Sequence, residues 1–525
     1  MATDYDIAIV GGGINGAGIA CDAAERGLRV ILLEKDDFGW ATSAWSSRLI
    51  HGGLRYLEYA EIPLVFESLH ERERLLELAP HLVRDLCLTI PVYEGSRRGL
   101  TLIRLGMIAY DLLSVGKQLP RHRMLDRDEM IARYPGLRTE GLKGGAEYHD
   151  AQVAFIERLV LENVIAAKEA GADVRNHSPV IGINVRRGAV HTLEFVDFAT
   201  GEETEVGARV IINAAGPWVD RVLATVNRQM PRFMGGTRGS HIIVGPFEGA
   251  PDSAFYIEAE SDGRPFFVIP WNGQYLIGTT DIRHDGDPGE ARASREEVDY
   301  LLAEANRVFT KVTLTDDDIH YTYAGIRPLP WQEEGPESAI TRKHIIHRHR
   351  DEARGLLSVI GGKLTTYRSL AEEAVDKAVR HIGCRTGRCH TRTAALPGGA
   401  GLDEARRRLQ NVNGLSAPCT ERLLSIYGSR ATRIAAHADK GFLDNAKTVL
   451  AAEVSHAVRE EFAVTLTDIL FRRTMLGLGP DQGAPLIDDI ASLAAVELGW
   501  DRGEISRQLG QLRDFKRGMQ LPRAD

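Results

Sequence analysis

Three times along the chain an unbroken run of apolar residues stops at glycine or a small residue and gives way to a helical pattern. The first is "YDIAIVGGGINGAGIACDAAERGLRVILLEKDD", residues 5 to 37, which predicts a strand, a tight glycine turn, a helix and a second strand ending at Glu34. The second, "RVIINAAGPWVDRV" at 209 to 222, predicts a buried strand that ends in Ala214, Ala215, Gly216 and Pro217 before a new helix. The third, "SVIGGKLTTYRSLAEEAVD" at 358 to 376, predicts a short strand that stops at Gly361 and Gly362, then an amphipathic helix with Lys363 in its first turn. Apolar strands alternating with helices predict an α/β, doubly wound sheet. Three widely separated junctions predict a Rossmann-like domain assembled from discontinuous segments. Each junction leaves unpaired backbone N–H groups at a helix start, where an anion is stabilised.

Two other stretches have a different texture. In "GSRRGLTLIRLGMIAYDLLSVGKQLPRHRML", residues 95 to 125, apolar residues cover much of a helix, and Arg97, Arg98, Arg104, Lys117, Arg121 and Arg123 surround it. Such a segment can lie in the headgroup layer of an anionic membrane, while Arg104 and Asp111 exclude a transmembrane span. From "TRTAALPGGAGLDEA" at 391 to 405, a Pro/Gly linker leads into helices rich in Ala, Leu and Arg. These predict an all-helical C-terminal domain over 391–525, for which no chemistry is indicated.

At 525 residues the chain should divide into two or three domains. A net charge of −9 argues against a nucleic-acid partner. The five cysteines are scattered, so neither a disulfide framework nor a zinc knuckle is indicated, and no metal site is expected. The strand pattern begins at the N-terminus and leaves no room for a signal peptide, which fits a cytoplasmic setting.

Gly11, Gly13 and Gly16 supply a G-x-G-x-x-G turn, and Glu34 stands where an acidic residue would hydrogen-bond a ribose hydroxyl. This predicts a dinucleotide without separating NAD from FAD. The next segment, "WATSAWSSRLIHGGLRYLEYAE" at 40 to 61, replaces the plain helix–strand unit of an NAD enzyme with a loop of small hydroxylated residues, as a flat ring lying against backbone would require.

"GGGINGAGIA", "ATSAWSSRLIHGGLRYLE", "INAAGPWV", "GSHIIV", "IPWNGQYLIGTTD", "AGIRPL" and "SVIGGKLTTYRSLAE" occur in this order and spacing. The chain thereby resembles the FAD-dependent, aerobic and quinone-linked glycerol-3-phosphate dehydrogenases of the D-amino-acid-oxidase-like flavoproteins. The resemblance implies oxidation of sn-glycerol 3-phosphate to dihydroxyacetone phosphate, with FAD passing electrons to a membrane quinone. A glycerophosphate oxidase using oxygen is the alternative; an amino-acid oxidase, a tRNA-modifying flavoprotein or a non-catalytic flavin sensor is more distant. The implied layout is an FAD-dependent oxidoreductase region over 1–390, with FAD-binding pieces near 1–90, 145–225 and 325–390 and β-sheet substrate (cap) pieces near 91–144 and 226–324. Peripheral association with the inner face of the cell membrane follows from the quinone, and a homodimer is compatible with it.

The FAD diphosphate is expected at Gly11, Gly13, Asn15 and Gly16, the ribose at Glu34, and the ring against Thr42, Ser43, Ser46, Ser47, Leu49, His51, Gly52, Ala215 and Gly216. The third junction, Gly361, Gly362, Lys363, Leu364 and Thr365, is then free to offer N–H groups to the charge that develops on a reduced flavin. A phosphate dianion calls for arginines. Arg55, Arg327 and Arg342 are the candidates, with Tyr56 and Lys363 completing the polar cluster. For the base, His241 in "RGSHIIV" is favoured over His51, which is expected to pack at the flavin edge. The cluster "RKHIIHRHR" at 342 to 350 alternates like a hairpin and, beyond Arg342, reads as a solvated face.

Overall fold

The computed structural model describes residues 4–58, 61–198, 200–333 and 342–522; the side chain of Arg55 lies outside the described part. The expected junctions form side by side. In the first sheet, strands 345–348, 356–360, 203–213, 5–10, 30–33 and 173–175 lie in that spatial order. The middle strands run parallel, with Val10 beside Asn213 and Asn213 beside Ser358. Gly11, Ala214 and Gly361 therefore emerge together at the carboxyl ends of three adjacent strands, where doubly wound sheets bind ligands.

Strands Val30–Leu33 and Leu356–Ile360 are fully buried, as parallel strands covered on both faces must be. Helix Ile14–Glu25 covers one face, packed between helices Ile156–Glu169 and Tyr367–Ile382. A side chain at Gly18 would come within 2.8 Å of the Tyr367 ring, so glycine there permits the close approach of two helices.

A second, mainly antiparallel sheet stands over those strand ends. Its order is 282–283, 234–244, 274–278, 265–271, 254–258, 83–93, 142–153 and 49–50, and strand Ile319–Pro330 pairs along Met234–Val244. Strands 83–93 and 142–153 pair along their whole length, so the chain passes into this second sheet before residue 90 and leaves it after residue 145.

Beyond Ile382 the described elements are helical. Within this C-terminal part, the segment "FRRTMLGL" holds both sheets. Arg472 and Arg473 reach the buried carboxylate of Asp37 at 2.5 and 2.7 Å. The Leu478 carbonyl accepts from Asn272, Gln274 and Tyr321 at 3.0, 3.0 and 2.8 Å. Arg158 adds a bidentate pair with Glu461 at 2.6 and 2.7 Å.

Two local expectations are corrected. Lys363 does not lie in the first turn of the long helix: Gly361 and Gly362 take φ of 74° and 100°, a 3-10 turn spans Leu364–Thr366, and the α-helix begins at Tyr367. Two successive left-handed residues turn the chain away from the strand before a helix can start. Within 342–350, residues 345–348 form one arm of a hairpin whose other arm is 357–360, and its face is not wholly solvated, because His349 is buried with Nε2 2.9 Å from Ser358 Oγ.

Candidate active site

Two cavities meet where the sheets face each other. The larger, about 510 Å³, runs along the three junctions and is lined by Gly11, Gly13, Asn15, Glu34, Thr42, Ser43, Ser46, Ala215, Gly216, Gly361, Gly362, Lys363 and Leu364, all of them expected cofactor residues. Its glycine turn has no slack. Gly11 has φ 106°, and a side chain on Gly16 would lie 1.8 Å from the Gly11 carbonyl oxygen. Glu34 accepts from the Gly12 and Asp36 amides at 2.6 and 2.9 Å, and burial raises its pKa. Asn15 Oδ1 is buried and unpartnered among the described residues, so the cavity wall retains an unsatisfied acceptor.

Several expected cofactor side chains do a second job. Ser43 Oγ accepts from the Ile14 amide at 3.0 Å, capping the first helix from a distant loop. Thr42 Oγ1 donates to the Ile326 carbonyl at 2.7 Å and so ties that loop to the second sheet. Thr365 Oγ1 bridges the amide and carbonyl of His51 at 3.1 and 3.2 Å. Ser47, Gly52, Gly16 and Thr365 line neither the larger cavity nor the second one, while Leu49 and His51 line the second.

That second cavity, about 350 Å³, shares Thr42, Pro328, Gly362 and Lys363 with the first and extends under the antiparallel sheet. His51, Tyr56, Arg327, Arg342 and Lys363 line it together. The backbone of Arg55 falls in the short turn Leu54–Leu57 at its rim, and its side chain is outside the described residues. Arg327 is already engaged: its fork donates to Asp281 at 2.9 Å, Thr279 Oγ1 at 3.1 Å and the Thr280 carbonyl at 2.9 Å. Arg342 lies 3.5 Å from the same Asp281, while its Nη1 is buried with no partner among the described residues. Burial pushes the Asp281 carboxyl up, but Arg327, a hydrogen bond from Thr237 and Arg342 together outweigh it and hold the group below the usual range. Arg264 also donates to the Asp281 carbonyl, at 2.6 Å. Three guanidinium groups around one carboxylate leave the cavity positive.

Lys363 Nζ donates to Ser68 Oγ at 2.9 Å and sits 4.4 Å from the Tyr56 ring centroid. Burial lowers its pKa to about 7. Burial, and secondarily Lys363, lowers that of His51 to about 4, so its imidazole is neutral at neutral pH. His241 is not brought to either cavity. It is buried on strand Met234–Val244, with Nε2 2.9 Å from Ser47 Oγ and its ring stacked 4.8 Å from Tyr323. Burial, then Arg327 and Arg48, holds its pKa well below the usual value.

Residues 6–368 match the family described as FAD dependent oxidoreductase, and 389–505 match the C-terminal domain of alpha-glycerophosphate oxidase. A glycerol-3-phosphate dehydrogenase from Synechocystis is 43% identical over 98% of this chain and 96% of its own length. The chain belongs to the FAD-dependent glycerol-3-phosphate dehydrogenase family. An aerobic glycerol-3-phosphate dehydrogenase from Staphylococcus haemolyticus is 35% identical over 90% of this chain and 86% of its own. The crystal structure of the Bacillus halodurans glycerol-3-phosphate dehydrogenase complexed with FAD superposes with a TM-score of 0.82, at 28% identity, over 99% of this chain and 96% of that one. FAD is the family's cofactor, and the larger cavity with its glycine turn, half-buried Glu34 and Asn15, whose Oδ1 is unpartnered among the described residues, fits it.

Sequence reasoning missed several lining residues. Lys35 lies 4.7 and 4.6 Å over the rings of Trp40 and Trp218, closing one end of the larger cavity. Trp40 and Trp218 each flank a motif that was read for its glycines or hydroxyls, so their nearness to a junction was the available signal. Asp281 and Thr279 stand in "GTTD", whose polar ending to an apolar strand marked it out. Arg264 carried no local signal.

Proposed function

We propose that the protein oxidises sn-glycerol 3-phosphate to dihydroxyacetone phosphate in the smaller cavity and passes the electrons to a membrane quinone. The observation that carries the reading is the shared wall: a positive cavity sized for a small phosphate ester meets the dinucleotide cavity at Gly362 and Lys363. The names borne by the relatives support the same substrate.

Bound FAD supplies the hydride acceptor. The protein's own residues have three tasks. Arg342 and Lys363, backed by Arg327 and Tyr56, receive the phosphate dianion, and Arg342 Nη1 can do so without surrendering a bond it already makes. Arg55 joins this set by its place in the rim turn. His51, neutral and facing the cavity, accepts the C2 hydroxyl proton, a role that its position supports better than that of His241. The backbone at Gly362 and Lys363 lies on the shared wall, and its N–H groups are the donors for the negative charge that develops there.

The quinone reading rests on a surface. Helix Leu100–Leu113 exposes Leu102, Leu105 and Leu112 at 55, 60 and 67%, and Val115 beyond it at 70%. Phe66 on the neighbouring helix Ile62–Leu78 is 50% exposed and lies under Lys117 at 5.8 Å. An apolar strip ringed by basic residues fits the headgroup layer at the inner face of a membrane. No helix among the described residues is long and apolar enough to cross one.

The test is anaerobic addition of glycerol 3-phosphate to the flavin-loaded protein. Bleaching of the flavin is expected, followed by rapid reoxidation with a lipid-soluble quinone and slow reoxidation in air. Failure to bleach would refute the substrate, and rapid air oxidation would turn the reading into an oxidase.

A further inference from the structure

Behind the substrate cavity lies a buried polar cluster that the reaction as described does not use. Asp150, on strand Leu142–Val153, is 1% exposed. Its carboxylate accepts from Arg72 Nη1 at 2.6 Å, from Tyr110 Oη at 2.8 Å to each oxygen, and from the Gly52 amide at 3.2 Å. The Tyr110 hydroxyl also accepts from that same Gly52 amide at 3.0 Å. Gly52 is pressed onto this support, since a side chain there would lie 2.3 Å from Tyr110 Oη. Its neighbours His51 and Gly53 both line the substrate cavity. On the other side, Thr365 holds the His51 amide and carbonyl.

We propose that Asp150 and Tyr110 are positioning residues of the reaction, fixing the His51–Gly52–Gly53 turn against the substrate cavity from behind. This rests on the reading of His51 as proton acceptor and Lys363 as phosphate ligand. A buried carboxylate with four donor contacts is costly unless its geometry is fixed, and here the fixed object is the turn that carries the base. Its charge acts on the same two residues, favouring the protonated forms of both His51 and Lys363. Among the described residues, the charged and titratable groups facing this cluster are Arg72, Glu73, Glu67 and Glu61 from or beside helix Ile62–Leu78, Tyr110 and Lys117 from or beside the surface helix, Tyr148 from the Asp150 strand, and Lys363 from the third junction. Arg72 opposes Asp150 at His51, whereas Glu67 and Glu61 reinforce it at Lys363.

The test compares Asp150→Asn and Tyr110→Phe with the parent protein, all loaded with FAD, by the pH dependence of flavin reduction and turnover with glycerol 3-phosphate. Asp150→Asn removes a negative charge, so the alkaline limb of the kcat/KM profile, set by Lys363, should move to lower pH by about half a unit or more, while the acid limb stays with the substrate phosphate. Tyr110→Phe keeps that charge and loosens the turn. Its kcat should fall several-fold with KM, FAD content and both limbs unchanged. A Tyr110→Phe protein with parental kcat, or a folded Asp150→Asn protein with a parental alkaline limb, would overturn the proposal. If Asp150→Asn does not yield a folded flavoprotein, Tyr110→Phe alone decides. A parent protein that bleaches normally beside unaffected variants refutes only this inference, whereas a parent that does not bleach refutes the substrate reading and this with it.

Discussion

Arg327 and Arg342 look alike in the sequence, but their surroundings assign them different work. Arg327 spends its fork on Asp281, Thr279 and Thr280, which makes it a strut, whereas Arg342 has a buried nitrogen with no partner among the described residues. Arg342→Ala should therefore weaken glycerol 3-phosphate by about 1.5–3 kcal/mol, roughly 10- to 100-fold in KM, and leave FAD affinity unchanged. Titration of flavin reduction beside flavin content checks this, and equal loss of both would make Arg342 a cofactor residue. Lys363 gives a pH signature. With a free-protein pKa of about 7 it is partly neutral at pH 7.5, while the phosphate monoester is a dianion above its second pKa near 6. The dianion favours the charged ammonium, so binding at pH 7.5 should take up a fraction of a proton, and affinity should fall as pH rises through about 7. Calorimetry in two buffers of different ionisation enthalpy measures the uptake, and Lys363→Met should abolish both it and the alkaline loss.

The three glycine junctions were legible because each couples an apolar run to a backbone demand that few residues meet. At Gly16 a methyl group would collide with the Gly11 carbonyl oxygen, so Gly16→Ala should fold with little or no bound FAD, as the absorbance of the purified protein would show. The C-terminal segment "FRRTMLGL" gave no such signal. Its arginines act on Asp37, more than 400 residues away in sequence, and only the folded chain shows them docked beside the first junction. Replacing Arg473 with Ala takes two charged donors from a buried carboxylate that keeps Arg472 and Asn176, and should cost about 1.5–3 kcal/mol of stability, read in denaturant unfolding. A loss near zero would mean that Arg472 and Asn176 satisfy Asp37. The reading of His241 failed to anticipate its place for a related reason. Its strand does face the nucleotide sheet, but the register that puts His241 opposite Tyr323 and Gly278 turns the ring into the sheet's own packing, and period-2 alternation cannot reveal which face a ligand will meet.

At the scale of the whole molecule, two cavities sit between two sheets, one segment of the helical part grips both sheets, and the apolar strip lies on helix Leu100–Leu113. That helix also carries Tyr110 inward to the His51 turn, so its outer and inner faces serve different ends. The basic residues around it are not equally free to meet lipid. Arg98 is bound to Glu58 and Glu258, and Arg123 to Glu129, so substituting them would disturb internal ion pairs as well as surface charge. The apolar residues are the cleaner probe. Leu105→Gln with Leu112→Gln removes two side chains that are 60 and 67% exposed and should weaken partitioning into anionic vesicles by about 3 kcal/mol, more than 100-fold, while leaving the fold intact. Turnover with a lipid-soluble quinone should fall with it, and turnover with a water-soluble dye should survive. Co-sedimentation with vesicles at low and high salt, beside both assays, separates the possibilities. Equal loss with dye and quinone would show that the strip supports the catalytic fold, and unchanged vesicle binding would move the docking surface elsewhere on the molecule.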